Sequence, residues 1–253
     1  MSSLAVAVVV FACVLGGAVA AMLVGRALPG QHLGGESKDV MKLGLGVIAT
    51  LAALVLGLLI AAAKGTYDTQ SSAVKQMAAN VMLLDRLLAR YGPQTKEARE
   101  LLRGAGARSL EKLWPQDRAR QADLAPGEAR AETEAFYEKV AELSPKTDAQ
   151  RAIKARARDL TTDLEQTRLR LFAQKDSSIP APFLVVLVFW LVILFGGYGL
   201  LAPRNATVAA VLVVCALSVS GALFLILELD RPFEGLMQVS SAPVREALAR
   251  LGE

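Results

Sequence analysis

The sequence predicts an all-α fold: four transmembrane helices in two hairpins, with one charged helical segment between them. Three observations carry this. Four blocks are nearly free of charge, and each has about the 20 residues needed to cross a bilayer core. Between the second and third blocks, apolar residues recur at alternating spacings of three and four. The link between the third and fourth blocks is short enough to force an antiparallel pair. Of the 253 residues, 53% are hydrophobic and only 6% aromatic. That total barely exceeds a soluble domain's, so the segregation of the apolar residues makes the case.

The first span is expected at residues 4–25. It has no basic n-region, and its apolar run is longer than the core of a signal peptide. It therefore reads as a retained helix, with cleavage after Ala20 or Ala21 as the alternative. The connector from Arg26 to Lys42 holds Pro29, Gly30, Gly34 and Gly35 and interrupts the helix. Ser37-Lys38-Asp39 suits a new helix start. The second span is expected at 43–63, ending at Lys64, and residues 1–64 form the first membrane hairpin.

Residues 65–178 read as a soluble helical segment. Val74, Met77, Val81, Leu84, Leu88 and Tyr91 fall on one helix face, and Gly92-Pro93 ends that run. A short helix is expected over 94–103, broken by Gly104 and Gly106. Pro115 and Pro126 frame a polar linker. A helix around Phe136, Val140 and Leu143 stops at Ser144-Pro145, which in turn suits the cap and first position of the next helix. That helix is expected to reach about Lys175, with a stripe of Ile153, Ala157, Leu160, Leu164 and Leu171. The two stripes predict an antiparallel bundle. Pro180 and Pro182 mark re-entry, and residues 179–228 form the second membrane hairpin. Its spans are 183–202 and 206–227, joined through Pro203-Arg204-Asn205. A tail, 229–253, carries a short helix near Val244 to Leu251.

An even number of spans places both termini and the central segment on one side. Lys64, Lys75, Arg168, Arg170, Lys175, Arg231, Arg245 and Arg250 flank the membrane on that side. Arg26, Lys38, Lys42 and Arg204 flank it on the other. The excess predicts that the termini and residues 65–178 are cytoplasmic. The flanks of the first span, taken alone, point the opposite way.

The formal net charge of +4 comes from basic residues interleaved with acidic ones, which argues against a nucleic-acid partner. Cys13 and Cys215 lie in apolar blocks and read as small hydrophobic filler. His32 has no companion for a metal site, so no metal and no cofactor is expected. No HExxH, GxSxG, Walker or dinucleotide motif is present, and nothing in the sequence argues for an enzyme. A solvated helix face accounts for nearly all the carboxylates.

Three features stand out. Ala49, Ala53, Gly57 and Ala61 recur every fourth residue in the second span, a spacing that suits close helix packing or a pore-lining face. Thr50, the one hydroxyl there, is placed to bond its own helix backbone. Lys64, Tyr67 and Asp68 mark the exit of that span. Lys64 either snorkels to the interface or forms a cationic ring around an axis. Glu228, Asp230, Pro232 and Phe233 mark the exit of the fourth span. Pairing of these carboxylates with Arg231, Lys64 or Arg170 is favoured over a cation site, which needs many oxygen ligands.

The stretches HLGGESKDVMKLGLGVIATLAALVLGLLIAAAKGTYD, LLDRLLARYGPQ and LLAPRNATVAAVLVVCALSVSGALFLILELDRPFEGLMQVSSAPVREAL resemble the bestrophin-like family of bacterial membrane proteins. That family is distantly similar to bestrophins proper, pentameric anion channels with bacterial relatives that can prefer cations. The resemblance implies a homo-oligomer, a pentamer in bestrophins proper, in the lipid bilayer of a bacterial inner membrane with inorganic ions as cargo. It implies an aromatic, charged junction after the second span, matched by Lys64 to Asp68. It also implies a Glu followed by a Pro-Phe turn, matched by Glu228 to Phe233. Three things differ. Ala53, Gly57 and Ala61 stand where bestrophins constrict the pore with bulky side chains. Thr69-Gln70-Ser71 replaces the Arg-Trp-Trp signature, and the acidic run of the calcium clasp is missing. The expectation is an anion-permeable homo-oligomeric channel lined by the second span. The alternative is a non-conducting membrane scaffold or sensor whose soluble helices bind partners.

Overall fold

The computed structural model describes residues 2–27, 35–114, 128–173, 179–203, 205–233 and 235–251. Among these are eight α-helices: α1 (Ser3–Ala27), α2 (Gly35–Tyr91), α3 (Lys96–Leu113), α4 (Glu128–Glu142), α5 (Asp148–Ala173), α6 (Ala181–Leu201), α7 (Ala206–Leu229) and α8 (Ala242–Ala249). The chain divides into two compact units. One comprises Met1–Tyr67 with Ser177–Met237, the other Asp68–Asp176 with Gln238–Glu253.

The first unit holds α1, the first part of α2, α6 and α7. All four helices are long and apolar enough to cross a bilayer. Helices satisfy every backbone group internally, which a hydrocarbon medium demands. Each buries one narrow stripe. Val10, Val14 and Ala18 of α1 meet Leu187, Leu191 and Phe195 of α6 and Ala216 and Leu223 of α7 in one core. The remaining faces leave large apolar residues exposed, including Leu43 at 74% and Val185 at 66%. Water would penalise such a surface, whereas acyl chains match it.

The four spans form two hairpins in sequence, α1–α2 and α6–α7. The tightest packing runs between them, because α1 lies along both α6 and α7. Glycine makes this possible. A Cβ on Gly199 would collide with the Ala18 carbonyl, and one on Gly17 would fall 2.9 Å from Val192 Cγ1. Small residues permit this backbone approach in membranes. Asn205 caps α7, its side chain accepting the Val208 N–H at 2.8 Å. Cys13 and Cys215 are both exposed rather than buried. The apolar blocks are lipid-facing on most sides, so hydrophobicity there does not imply burial.

The second unit is a helical bundle. From Asp68 onward α2 contributes Val81, Leu84 and Leu88 to a core shared with Leu102, Phe136, Val140, Ala157 and Leu160. Both predicted stripes therefore meet. Fully burying each such Leu is worth about 1.5–3 kcal/mol. Gly92, at φ 135°, ends α2. Thr95 then donates its hydroxyl to the Leu88 carbonyl at 2.6 Å, satisfying a helix-end acceptor. Gln150 Nε2 also donates to the Tyr91 carbonyl at 3.0 Å, tying the start of α5 to the end of α2.

Several boundaries differ from expectation. The helix of the second span does not end with the apolar block; α2 continues unbroken past Lys64 to Tyr91. Gly65 alone costs a helix about 1 kcal/mol, too little to end one without a proline or competing cap. Helix α2 also begins at Gly35, ahead of Ser37. Helix α3 runs straight through Gly104 and Gly106. Leu248 of α8 fills the place a Gly106 side chain would take, so glycine here serves packing. The cap of α5 is Thr147, whose hydroxyl accepts the Gln150 N–H at 3.2 Å, not Ser144. The expected 115–126 linker, His32 and Lys175 lie outside the described residues.

Candidate pore face and membrane-exit junctions

Helix α2 has three kinds of face within the membrane unit. Leu45, Ala52, Leu59 and Ala63 are buried in the core. At 3.6 residues per turn, Ala49, Thr50, Ala53, Gly57, Ala61 and Lys64 lie roughly 115° round from them. Val47, Leu51, Leu54 and Leu58 lie about as far again and are exposed. On the small-residue face Ala49 is half-buried, and the others are exposed. Cβ atoms built on Gly46 or Gly57 would meet nothing within 4 Å. Packing inside the chain therefore does not require small residues here. Thr50 donates its hydroxyl to the Gly46 carbonyl at 2.9 Å, so it presents no unsatisfied donor to an apolar medium.

At the exit of this face the Lys64 ammonium lies 5.4 Å from the centroid of the Tyr67 ring. The residues are one turn apart on a continuous helix, so the contact follows from i, i+3 geometry. A cation over a tyrosine face at an exposed site gains about 0.5–1 kcal/mol. Lys64 and Asp68 are exposed and Tyr67 is half-buried.

The second junction closes differently. Glu228 and Asp230 are only 6% and 4% exposed. Glu228 Oε2 accepts the backbone N–H of Leu236 at 2.6 Å. Gly235, at φ 81°, abuts the same carboxylate. Asp230 ends α7, with its N–H bonded to the Ile226 carbonyl at 3.0 Å. Pro232 and Phe233 are buried. The carboxylate of Glu228 thus folds the chain back over the end of α7. The partner that holds it in this turn is the Leu236 backbone amide.

Sequence reasoning missed Gly235 and Leu236. A glycine shortly after a Pro-Phe turn was the available signal, since positive φ favours glycine. It also missed Asp85, 5% exposed, which receives Arg99 Nε at 2.6 Å and Nη2 at 2.8 Å. This fork holds the Arg99 guanidinium charged, its pKa raised foremost by the bond to Asp85. Among the described residues no cluster of His, Cys, Asp or Glu is arranged to hold a metal.

These features define a multi-span helical membrane protein with a folded-back exit after its last span. The chain belongs to the bestrophin-like family: residues 12–244 match the Bestrophin-like domain. A crystal structure of a variant bacterial bestrophin homologue from Klebsiella pneumoniae is similar, with a TM-score of 0.72 at 14% identity, covering 99% of this chain and 97% of that one. Another structure of that homologue gives a TM-score of 0.70 at 12% identity, covering 96% of each chain. A crystal structure described as a membrane protein variant gives 0.72 at 12% identity, again covering 96% of each. At these identities the likeness establishes the shared fold. Among curated proteins none matches.

Proposed function

We propose that the protein is a homo-oligomeric ion channel of a bacterial inner membrane, with α2 lining the central path and anions as the favoured cargo. Membership of the bestrophin-like family supports the channel class. The observation that carries the pore assignment is the small-residue face of α2, exposed from Thr50 to Lys64 with no neighbour at Gly57. A second copy or an open path explains small residues that the chain's own packing does not. Lys64 at the end of that face places positive charge where permeating ions enter or leave, which favours anions. The excess of basic residues on one side supports a cytoplasmic location for both termini and residues 65–178. The family resemblance points to five subunits.

Purified oligomer in liposomes should carry anions above empty vesicles, under varied voltage and pH. Cysteines placed at Ala53, Gly57 and Ala61 should react with water-soluble thiol reagents and block that flux. Oligomers that pass no ions, with these cysteines inert but cross-linking between subunits, would support the scaffold reading instead.

A further inference from the structure

Five helices of the helical unit leave a cavity of about 60 Å³ between them. One water-sized group needs about 10–15 Å³ of such space, so roughly four to six heavy atoms fit. Val81, Leu102, Phe136 and Leu164 form much of its wall. Helix α3 contributes Leu102 and Ser109 and, between them, only the small residues Ala105 and Gly106. Leu248 of α8 already occupies the space a larger residue at Gly106 would need. The void is therefore built into the packing of α8 on α3.

Polar groups enter the wall from two helices. Thr133 and Tyr137 lie one turn apart on α4, and Arg168 comes from α5. Arg168 Nη1 donates to Thr133 Oγ1 at 3.0 Å, which holds the guanidinium at the cavity. The Tyr137 hydroxyl has its pKa pushed up to about 12, chiefly by burial and then by Glu165, with Arg168 acting the other way. Across the physiological range it remains an O–H donor. Ser109 also reaches the cavity, but its hydroxyl donates to the Ala105 carbonyl at 2.8 Å.

A guanidinium and a phenol therefore border a cavity whose other walls are apolar. A lone inorganic anion would leave the apolar wall unfilled. A cation would confront Arg168. A hydrocarbon would gain nothing from the polar groups. Only a small molecule with an anionic end and an aliphatic remainder uses both.

We infer that this cavity binds a short-chain aliphatic carboxylate, its carboxylate on Arg168 and Tyr137 and its alkyl part against Val81, Leu102 and Phe136. Glu165, one turn from Arg168 on α5, opposes the ligand's charge and holds affinity in the weak range typical of small metabolites. Because Leu248 and Val244 of α8 complete the wall, an occupied cavity also secures α8. The inference is independent of whether the protein conducts ions.

Full-length protein in detergent is titrated with butyrate at constant ionic strength, using calorimetry and thermal unfolding, with butanol and butylammonium as comparisons. Butyrate should bind saturably, raise the melting temperature and slow amide exchange across 242–249. Butylammonium should do none of these, and butanol should bind more weakly. Arg168→Gln should weaken butyrate at least about tenfold, since it removes a charge-assisted bond, while leaving butanol unchanged. If Arg168→Gln does not fold, Tyr137→Phe decides, and a several-fold loss for butyrate is expected. The inference is overturned if butyrate does not saturate, if butanol binds as well, or if a folded Arg168→Gln or Tyr137→Phe variant binds butyrate unchanged.

Discussion

Gly235 is folded onto the carboxylate of Glu228. Its φ of 81° and the carboxylate standing where a Cβ would be both require glycine, and the next residue's N–H closes the turn at 2.6 Å. Gly235→Ala should therefore destabilise the membrane unit by more than about 1 kcal/mol, from strain at positive φ alone. Glu228→Ala leaves the Leu236 N–H without its acceptor and should cost about 1–3 kcal/mol. Glu228→Gln keeps an acceptor oxygen and should cost less. Thermal unfolding in detergent ranks the three; equal stability of all would show that the turn is held by something else.

The faces of α2 predict opposite responses to enlargement. Ala63→Leu, at a site 0% exposed, overpacks the core and should destabilise the chain by about 1–3 kcal/mol. A Cβ at Gly57 meets no atom of its own chain within 4 Å, so Gly57→Leu should leave monomer stability nearly unchanged. It should instead alter the oligomer or its ion flux. Light scattering with unfolding and flux assays separates these outcomes.

Lys64 and Tyr67 test the anion preference. Lys64→Gln should shift the reversal potential in a salt gradient away from anion selectivity, and Lys64→Glu should shift it further. Tyr67→Leu retains the charge and should change selectivity little, removing only the cation–π contact of about 0.5–1 kcal/mol. Unchanged potentials in both Lys64 variants would place this residue away from the ion path.

In the Asp85–Arg99 pair the Asp85 side chain is buried at 7% exposure, while Arg99 is partly exposed at 24%. Asp85→Ala removes both bonds to the guanidinium and should cost the helical unit about 1–3 kcal/mol. Replacing both partners with apolar residues should recover much of that loss. A double-mutant cycle by chemical denaturation measures the coupling.

Tyr137 gives a pH signature. Its folded pKa lies above its unfolded value, so its contribution to stability is fully present below about pH 10 and is lost as pH rises through about 12. Tyr137→Phe should flatten the loss of stability of the helical unit over that window. Alkaline unfolding followed by circular dichroism provides the comparison.

The spans were legible in the sequence because a bilayer imposes a coarse, local rule: enough consecutive apolar residues to cross it. The bundle stripes were legible for a similar reason, since burial repeats with the helical period. Boundaries were less so. Gly104 and Gly106 have the composition of breaks, yet both sit inside α3 because helix packing outweighs a penalty near ~1 kcal/mol each.

The residues of both junctions were recognisable, but their partners were not. Glu228 finds an amide eight residues on, and Asp85 finds Arg99 across a turn between helices; neither distance is encoded in composition. By itself the sequence determined the four spans, the helical segment and the resemblance to a family. Only the tertiary structure decided which face of each membrane helix is buried. In an apolar medium hydrophobicity no longer separates inside from outside, so that choice rests on shape: where Gly17, Gly199 and Ala18 let backbones approach, and where the face of Gly57 meets no neighbour in its own chain.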